Sequence, residues 1–201
     1  MPGVTRTLGA AGVVDYSRVP AAVLRRRQLE GRAVHLATEF DDAGELDEST
    51  CSAYVMSCVR AWRMWRRLAG FEVEHCERIV YGFTSAGPFA GTTDRCGRLR
   101  GWRATVEIKT TAQLHAEACR MQTAAYADAA RQSIGFDAAV RVAVQLRPDG
   151  TFRAELFDDH FDRDFGRFAG ALAHVARWRP MGGKDSVSHW ATCPDAGRWR
   201  R

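Results

Sequence analysis

Lysine is rare in this chain, and one of its lysines lies beside a glutamate. The sequence contains only Lys109 and Lys184, while the other Lys/Arg positions are all arginine. Lys109 lies in Val106-Glu107-Ile108-Lys109-Thr110, which has the composition of a strand, so Glu107 and Lys109 project side by side. Arginine stays charged under ordinary conditions, whereas the pKa of a lysine moves readily on burial. The pair indicates chemistry that arginine could not perform, and its alternative interpretation is an ion pair on a solvated face.

A second carboxylate precedes this strand. Asp94 lies in Gly91-Thr92-Thr93-Asp94-Arg95 and is predicted to end the strand that neighbours the Glu107 strand. Two carboxylates on adjacent strands can share a hard divalent cation such as Mg²⁺. A lysine beside them can orient or deprotonate a water molecule and stabilise developing negative charge. This is the arrangement that metal-assisted hydrolysis of a phosphodiester requires.

Further polar residues have helical or strand spacing. His35 and Glu39 are four residues apart, as are Gln122 and Tyr126, so each pair shares one helix face. Glu39 is interpreted as a solvated helix charge, and His35 has a core histidine as its alternative. Three glutamates of the first strand are interpreted as exposed charges, although the approach of one of them to a metal is left open: Glu72, Glu74 and Glu77.

Hydrophobic periodicity predicts a mixed α/β sheet flanked by helices. The predicted order is helix, helix, three strands, helix, two strands and helix. Residues 1–19 are predicted to be loop, and residues 41–49 an acidic loop. The predicted helices are 21–40, 50–69 (ending at Gly70), 113–132 and 161–175, and the predicted strands are 71–81, 88–96, 102–110, 140–146 and 152–156.

The length of 201 residues fits one domain, assigned to 20–178, between the N-terminal loop 1–19 and a basic tail 179–201. At 46% hydrophobic residues the chain can bury a sizeable core. It has no apolar run of membrane-spanning length and no secretory signal at residue 1. Its six cysteines are scattered without a CxxC pair, which favours reduced thiols and a cytoplasmic location.

The formal net charge of +5 and the clustering of arginines favour a polyanionic partner such as DNA. Arg60, Arg63, Arg66 and Arg67 recur on the predicted helix 50–69, and Arg95 lies beside Asp94. Phosphate contacts by Arg60, Arg63, Arg67 and Arg95 are the candidate DNA-binding interactions, with a solvated helix face as the alternative. Trp62 and Trp65 are predicted to be core residues rather than a base-stacking platform.

Four motifs in order carry a family resemblance: Gly31-x-x-x-His35, Gly91-x-x-Asp94-Arg95, Glu107-Ile108-Lys109-Thr110 and Gln122-x-x-x-Tyr126. Over about residues 20–160 the chain resembles the PD-(D/E)XK nuclease superfamily, and within it the RecB-like exonucleases of phages and bacterial repair systems. The resemblance implies a restriction-endonuclease-like core. It implies Mg²⁺ or Mn²⁺ held by His35, Asp94, Glu107 and the backbone carbonyl of Ile108. It implies catalytic roles for Asp94, Glu107, Lys109, Gln122 and Tyr126.

The resemblance also sets the expected function, which is metal-dependent hydrolysis of DNA by an exonuclease. A structure-specific endonuclease and an inactive nucleic-acid-binding or inhibitory protein remain alternatives. DNA is the expected partner, and a helicase or a single-strand annealing protein is an open second partner. Thr93 replaces the proline that gives the superfamily its name, and Glu107 replaces a common aspartate. No iron–sulfur cluster is expected, because only Cys193 follows the helix at 113–132. Oligomeric state and polarity are left open.

Overall fold

The computed structural model describes residues 1–177 as one mixed sheet with helices on both faces. The basic tail predicted for 179–201 lies outside the described residues. The helices are α1 (Val4–Ala10), α2 (Ala21–Ala43), α3 (Ala53–Ala69), α4 (Ala116–Ile134) and α5 (Phe161–Arg177). The strands are β1 (Phe71–Thr84), β2 (Gly87–Leu99), β3 (Trp102–Lys109), β4 (Val140–Leu146) and β5 (Phe152–Phe157). None of the helices within 1–177 is long and apolar enough to cross a membrane.

The five strands lie in chain order across the sheet. β1, β2 and β3 form an antiparallel meander, β3 and β4 are parallel, and β5 returns antiparallel to β4. A parallel pair needs a crossover, and α4 supplies it between β3 and β4. β3 is the middle strand of the five, and its carboxyl end leads into α4. The predicted mixed α/β architecture is confirmed.

Alternation along the central strands separates two cores. Val106 and Ile108 point toward α2 and α3, where they join Trp62 and Trp65. The two indole rings stack with centroids 5.1 Å apart, so their predicted role as core residues is confirmed. Glu107 alternates with these apolar residues and therefore projects toward α4.

The opposite face is covered by α4, with α1 and α5 packed against it. Phe89 of β2 and Phe168 of α5 meet edge to face, with centroids 4.9 Å apart. α4 is buried over most of its length, including the polar residues Gln122 and Asp128. A helix buried this deeply can bring polar side chains into contact with the sheet, and Gln122 does so.

The N-terminal prediction was wrong, because residues 1–19 include helix α1. Val4 and Leu8 are four residues apart and share a face, and both are buried in the core beneath α4 and α5. The amide of Ala90 in β2 donates to the carbonyl of Pro2, at 3.0 Å. The N-terminal segment is thereby fixed against the sheet.

The acidic loop predicted for 41–49 was also wrong at its start. α2 continues through Asp41 and Asp42 and ends at Ala43, and Gly44 follows with a left-handed φ of 74°. The helix continues because the side chain of Asp42 is buried among charged hydrogen-bond donors. It accepts from Trp62 Nε1 at 2.9 Å, from Arg66 Nη1 at 2.5 Å and from Arg95 Nε at 2.5 Å.

A buried ion pair joins β4 to α5. Arg141 and Asp164 are 2% and 1% exposed, with Arg141 Nη2 3.0 Å from Asp164 Oδ2. Burial raises the pKa of Asp164, but hydrogen bonds from Arg141 and Arg163 outweigh it and hold that pKa below its usual value. The last helix is therefore attached to the sheet by a charge that must stay ionised.

We predict that Asp164→Asn destabilises the protein by about 3 kcal/mol at neutral pH, since it leaves Arg141 buried without its counter-charge. A carboxylate with a lowered folded pKa stabilises the fold above its unfolded pKa of about 3.9, and this contribution is lost as the pH falls through the folded value. The difference between wild type and variant should therefore shrink at strongly acidic pH. Urea unfolding across pH 3–7 measures it. Asp162→Asn, exposed on the same helix, is the matched control and should unfold like wild type.

Candidate metal centre

Asp94 and Glu107 lie opposite each other on neighbouring strands. The antiparallel register pairs Arg95 with Val106, so the next positions along the two strands are Asp94 and Glu107. Asp94 is 5% exposed, and its Oδ2 accepts from the amide of Ile108 at 2.6 Å. Asp94 lies inside β2 rather than at its end, because the strand continues to Leu99. The β3 backbone thus fixes the orientation of this carboxylate.

Lys109 is held by two acceptors on the α4 side of the sheet. Its Nζ lies 2.8 Å from Glu107 Oε1 and 2.7 Å from Gln122 Oε1. Gln122 Nε2 donates to the same Glu107 oxygen at 2.8 Å. The three side chains therefore form a closed triangle that leaves little freedom to the lysine. Glu107 and Lys109 are side by side, as the spacing of the motif predicts.

Tyr126 supports this triangle from the next turn of α4. Gln122 Nε2 lies 3.4 Å from its hydroxyl oxygen, and the hydroxyl of Thr5 lies 3.4 Å from the same atom. The Tyr126 ring packs on Gly91, where an added Cβ would lie 2.5 Å from Cε1. A side chain at position 91 would displace the tyrosine, which explains the glycine of the Gly91-x-x-Asp94 motif.

Thr5 is a site residue that the sequence did not indicate. Its hydroxyl accepts from Gln122 Nε2 at 3.2 Å, although 117 positions separate the two residues. The spacing of Val4 and Leu8 was the one signal that a helix could carry it there. Thr5 completes the hydrogen bonding of the glutamine that orients Lys109.

His35 approaches the carboxylates from α2. Its Nδ1 is 3.4 Å from Asp94 Oδ1 and 3.3 Å from Glu77 Oε1. The helix passes close to the end of β3 at Gly31, where an added Cβ would lie 3.1 Å from Thr110 Oγ1. The glycine of the Gly31-x-x-x-His35 motif therefore permits the close helix–strand contact that places the histidine.

Glu77 corrects the interpretation of the β1 glutamates. Glu72 and Glu74 are exposed, as predicted, but Glu77 is half-buried and contacts both His35 and Arg95. Its φ of 44° interrupts the regular strand. The register pairs Cys76 with Arg95, so Glu77 faces Asp94 across the hairpin.

His35, Glu77 and Asp94 form a group that could hold a metal ion. One ligand atom from each of them lies within 4.8 Å of the others. Two carboxylate oxygens and an imidazole nitrogen suit Mn²⁺, and the carboxylates suit Mg²⁺. Nearby, Glu107 Oε2 is buried and has no hydrogen-bond partner among residues 1–177, so it too could accept a cation. The residues present therefore fit a divalent cation, while ligation by Glu107 and by the Ile108 carbonyl stays a prediction.

The charges of this group shift one another. Burial and the Asp94 charge raise the pKa of Glu107 to about 7, and burial raises the pKa of Asp94. Burial opposes the charged form of His35, but Asp94 and Glu77 outweigh it and raise its pKa to about 9. Burial favours a higher pKa for Glu77, but hydrogen bonds and charge from His35 and Arg95 outweigh it. The pKa of Glu77 is therefore lowered from its usual value. The cluster attracts positive charge, which a bound cation would supply.

The arginine candidates differ in their surroundings. Arg95 is completely buried and bonded to Asp42 and Glu77, so its predicted contact with DNA phosphate was wrong. Arg63 forms ion pairs with Asp41 and Glu48, which already neutralise its charge. Arg60 and Arg67 are exposed on α3, and their contact with DNA stays a prediction.

Comparison with known proteins provides no family assignment. No protein-family model matches the chain, and no curated protein matches it. Among solved structures it is similar to the protein described as "Crystal structure of SSO0001", with 13% sequence identity and a TM-score of 0.38. The similarity covers 72% of this chain and 70% of the other. A likeness this distant carries no conclusion about fold or function.

We predict that Mn²⁺ raises the thermal stability of the protein, because a ligand that binds only the folded state stabilises it. The gain is about 2.7 kcal/mol when the free ion is a hundredfold above Kd. Glu77→Gln and Asp94→Asn should remove most of this gain, since each deletes a charged ligand. Glu72→Gln, an exposed neutral variant on the same strand, should respond to Mn²⁺ like wild type. Equal stabilisation of all four proteins would contradict the assignment of these ligands.

Proposed function

We propose that this chain is a metal-dependent deoxyribonuclease, with an exonuclease favoured by the family resemblance. The observation that supports it most is the convergence of His35, Glu77 and Asp94 beside the Glu107–Lys109–Gln122 triangle. Central strands β2 and β3 carry two of the carboxylates in a mixed sheet with helices on both faces. We take this arrangement as a restriction-endonuclease-like core of the PD-(D/E)XK type.

The metal ligands in this proposal are His35, Glu77 and Asp94, with Glu107 Oε2 as a further donor. Mg²⁺ or Mn²⁺, when bound, would activate a water molecule and neutralise charge on the phosphodiester. The protein contributes a preorganised group of ligands. Asp94 is fixed by the Ile108 amide, and His35 is fixed by a helix that contacts the end of β3.

Lys109 contributes a directed positive charge. An ammonium group has three hydrogens to donate. Glu107 and Gln122 are its two acceptors among the described residues, so the third hydrogen can be donated to a phosphate oxygen or to the attacking water. A guanidinium is larger, planar and always charged, so arginine is not equivalent to lysine at position 109.

Gln122, Tyr126 and Thr5 have positioning roles. Gln122 contacts Lys109 and the Glu107 carboxylate directly, and Tyr126 and Thr5 hold Gln122 through further hydrogen bonds. Contacts to the DNA backbone are assigned to exposed arginines such as Arg60 and Arg67, which bind phosphate without reading sequence.

One observation favours a second function, an inactive nucleic-acid-binding protein that keeps this fold. The acids already have protein cations as partners, since Arg95 contacts Glu77 and Lys109 contacts Glu107. Such a network could stabilise the fold without any metal. Cleavage experiments separate the two functions.

We predict loss of 5′- or 3′-labelled ends from single- or double-stranded DNA with Mg²⁺ or Mn²⁺, and none with chelator. Asp94→Ala and Glu107→Ala should abolish cleavage, since each removes a carboxylate from the cluster. Lys109→Arg should lower the rate by about 10²–10³-fold, the usual cost of one lost charge-stabilising donor. Glu72→Gln is the matched control and should cleave normally.

The inactive Glu107→Ala protein should still bind DNA in a fluorescence anisotropy assay. Its affinity should fall steeply with salt, because arginine–phosphate contacts release counterions. If wild type binds DNA in this way but cleaves nothing with either metal, the inactive-binder function replaces the nuclease. If it neither binds nor cleaves, both are wrong.

A further inference from the structure

The outer part of the β1–β2 hairpin carries exposed apolar side chains at every second position. Ile79, Tyr81 and Phe83 are 71%, 49% and 61% exposed. They alternate with Val80 and Gly82, which are buried toward α4. Successive strand residues point to opposite faces, so the three exposed side chains share one face. We refer to Ile79, Tyr81 and Phe83 as the outer stripe.

The backbone beneath the outer stripe is held in place. The amide of Phe83 donates to Gln132 Oε1 at 3.0 Å, and Gln132 Nε2 donates to the Phe83 carbonyl at 3.2 Å. The Tyr81 amide donates to Ser133 Oγ at 3.4 Å. α4 therefore fixes the strand from its edge. A ligand that stacks on the rings of Tyr81 and Phe83 loses little free energy in ordering the backbone that carries them.

The outer stripe leads to the candidate metal centre. Ile79 pairs with Thr92 across the hairpin, and Glu77 and Asp94 lie two residues further along the same two strands. At about 3.3 Å per residue, the side chains of the outer stripe stand about 7 Å apart, and Phe83 lies about 20 Å from Glu77. The spacing of about 7 Å between neighbouring side chains of the outer stripe is about twice the 3.4 Å rise of stacked bases. It therefore suits an extended single strand better than a duplex.

We propose that the outer stripe binds single-stranded DNA by base stacking and guides it to the metal centre, so that the substrate is a single strand or a frayed end. The inference rests on the proposed nuclease function and names its substrate class. Aromatic side chains stack on any base, and such stacking supports binding without sequence preference. The direction of the hairpin gives the strand a path of about three nucleotides.

Charge and area favour DNA over a protein partner. The segment from Arg78 to Thr93 contains no aspartate or glutamate, so no acidic side chain of this outer part of the hairpin repels a phosphate backbone. The outer stripe exposes roughly 270–450 Å², when the exposed fractions of its side chains are scaled to 150–250 Å² per large side chain. A stable protein interface needs about 800 Å² from each partner.

The test measures binding of a fluorescein-labelled 12-nucleotide oligothymidylate by anisotropy, in the Glu107→Ala background without metal. Tyr81→Ala/Phe83→Ala should weaken binding at least about tenfold, because two stacking contacts are lost. The slope of affinity against salt should not change, since no charge is removed. Trp102→Ala is the matched control, as Trp102 is 66% exposed at the start of β3 and pairs with Leu99, at the other end of β2 from the outer stripe. It should change affinity less than twofold.

A second measurement separates this inference from the proposed function. Hydrolysis of bis(p-nitrophenyl) phosphate with Mn²⁺ needs the metal centre. This substrate is too short to reach the outer stripe. Tyr81→Ala/Phe83→Ala should therefore hydrolyse it at the wild-type rate while it cleaves single-stranded DNA at least tenfold more slowly. If wild type hydrolyses neither bis(p-nitrophenyl) phosphate nor single-stranded DNA, the proposed nuclease function is wrong.

Two outcomes overturn the inference while the nuclease function stands. In one, the double variant binds and cleaves oligothymidylate like wild type. In the other, light scattering shows that wild type is an oligomer and the double variant a monomer, while the affinity for single-stranded DNA is unchanged. The second result would assign the outer stripe to contact between copies of this chain.

Discussion

The site depends on bringing like charges together inside a folded protein. Asp94, Glu107 and Glu77 converge where β1, β2 and β3 meet, and burial alone would disfavour their ionised forms. The fold accommodates them by bringing one cation to each region of the cluster. Arg95 contacts Glu77, Lys109 contacts Glu107, and His35 contacts Asp94. α2, α4 and the central strands are therefore positioned by electrostatics as well as by apolar packing.

These contacts also connect the site to the core of the α2–α3 face. Arg95 bonds Asp42 and Glu77 together, and its guanidinium lies 5.6 Å from the Trp62 ring centroid. Trp62 donates in turn to Asp42. A displacement of α2 would disturb the histidine and the buried arginine at once. The residue suggested by sequence as a DNA contact is in fact the link between the site and its scaffold.

The sequence predicted the central part of the site because short-range spacing determines it. Glu-x-Lys on a strand and Gln-x-x-x-Tyr on a helix fix which side chains share a face, and β3 and α4 confirm both. The position of Glu77 at the site depends instead on the register of the β1–β2 hairpin. A two-residue turn at Ser85-Ala86 pairs Thr84 with Gly87 and so sets Glu77 opposite Asp94, but the predicted strands stopped at Tyr81 and began at Pro88. Thr5 could not be found from local spacing, because its contact with Gln122 is purely tertiary.

The side chains that hold the hairpin also close the edge of the sheet. β1 is an edge strand in a sheet of five, and an unpaired edge is a template on which another chain can add a strand. Gln132 and Ser133 occupy the backbone groups of Phe83 and Tyr81 that such a strand would use. At the other edge, β5 presents the charged pair Arg153 and Glu155. The protein can therefore expose three large apolar side chains on a strand and still resist the edge-to-edge association that begins aggregation.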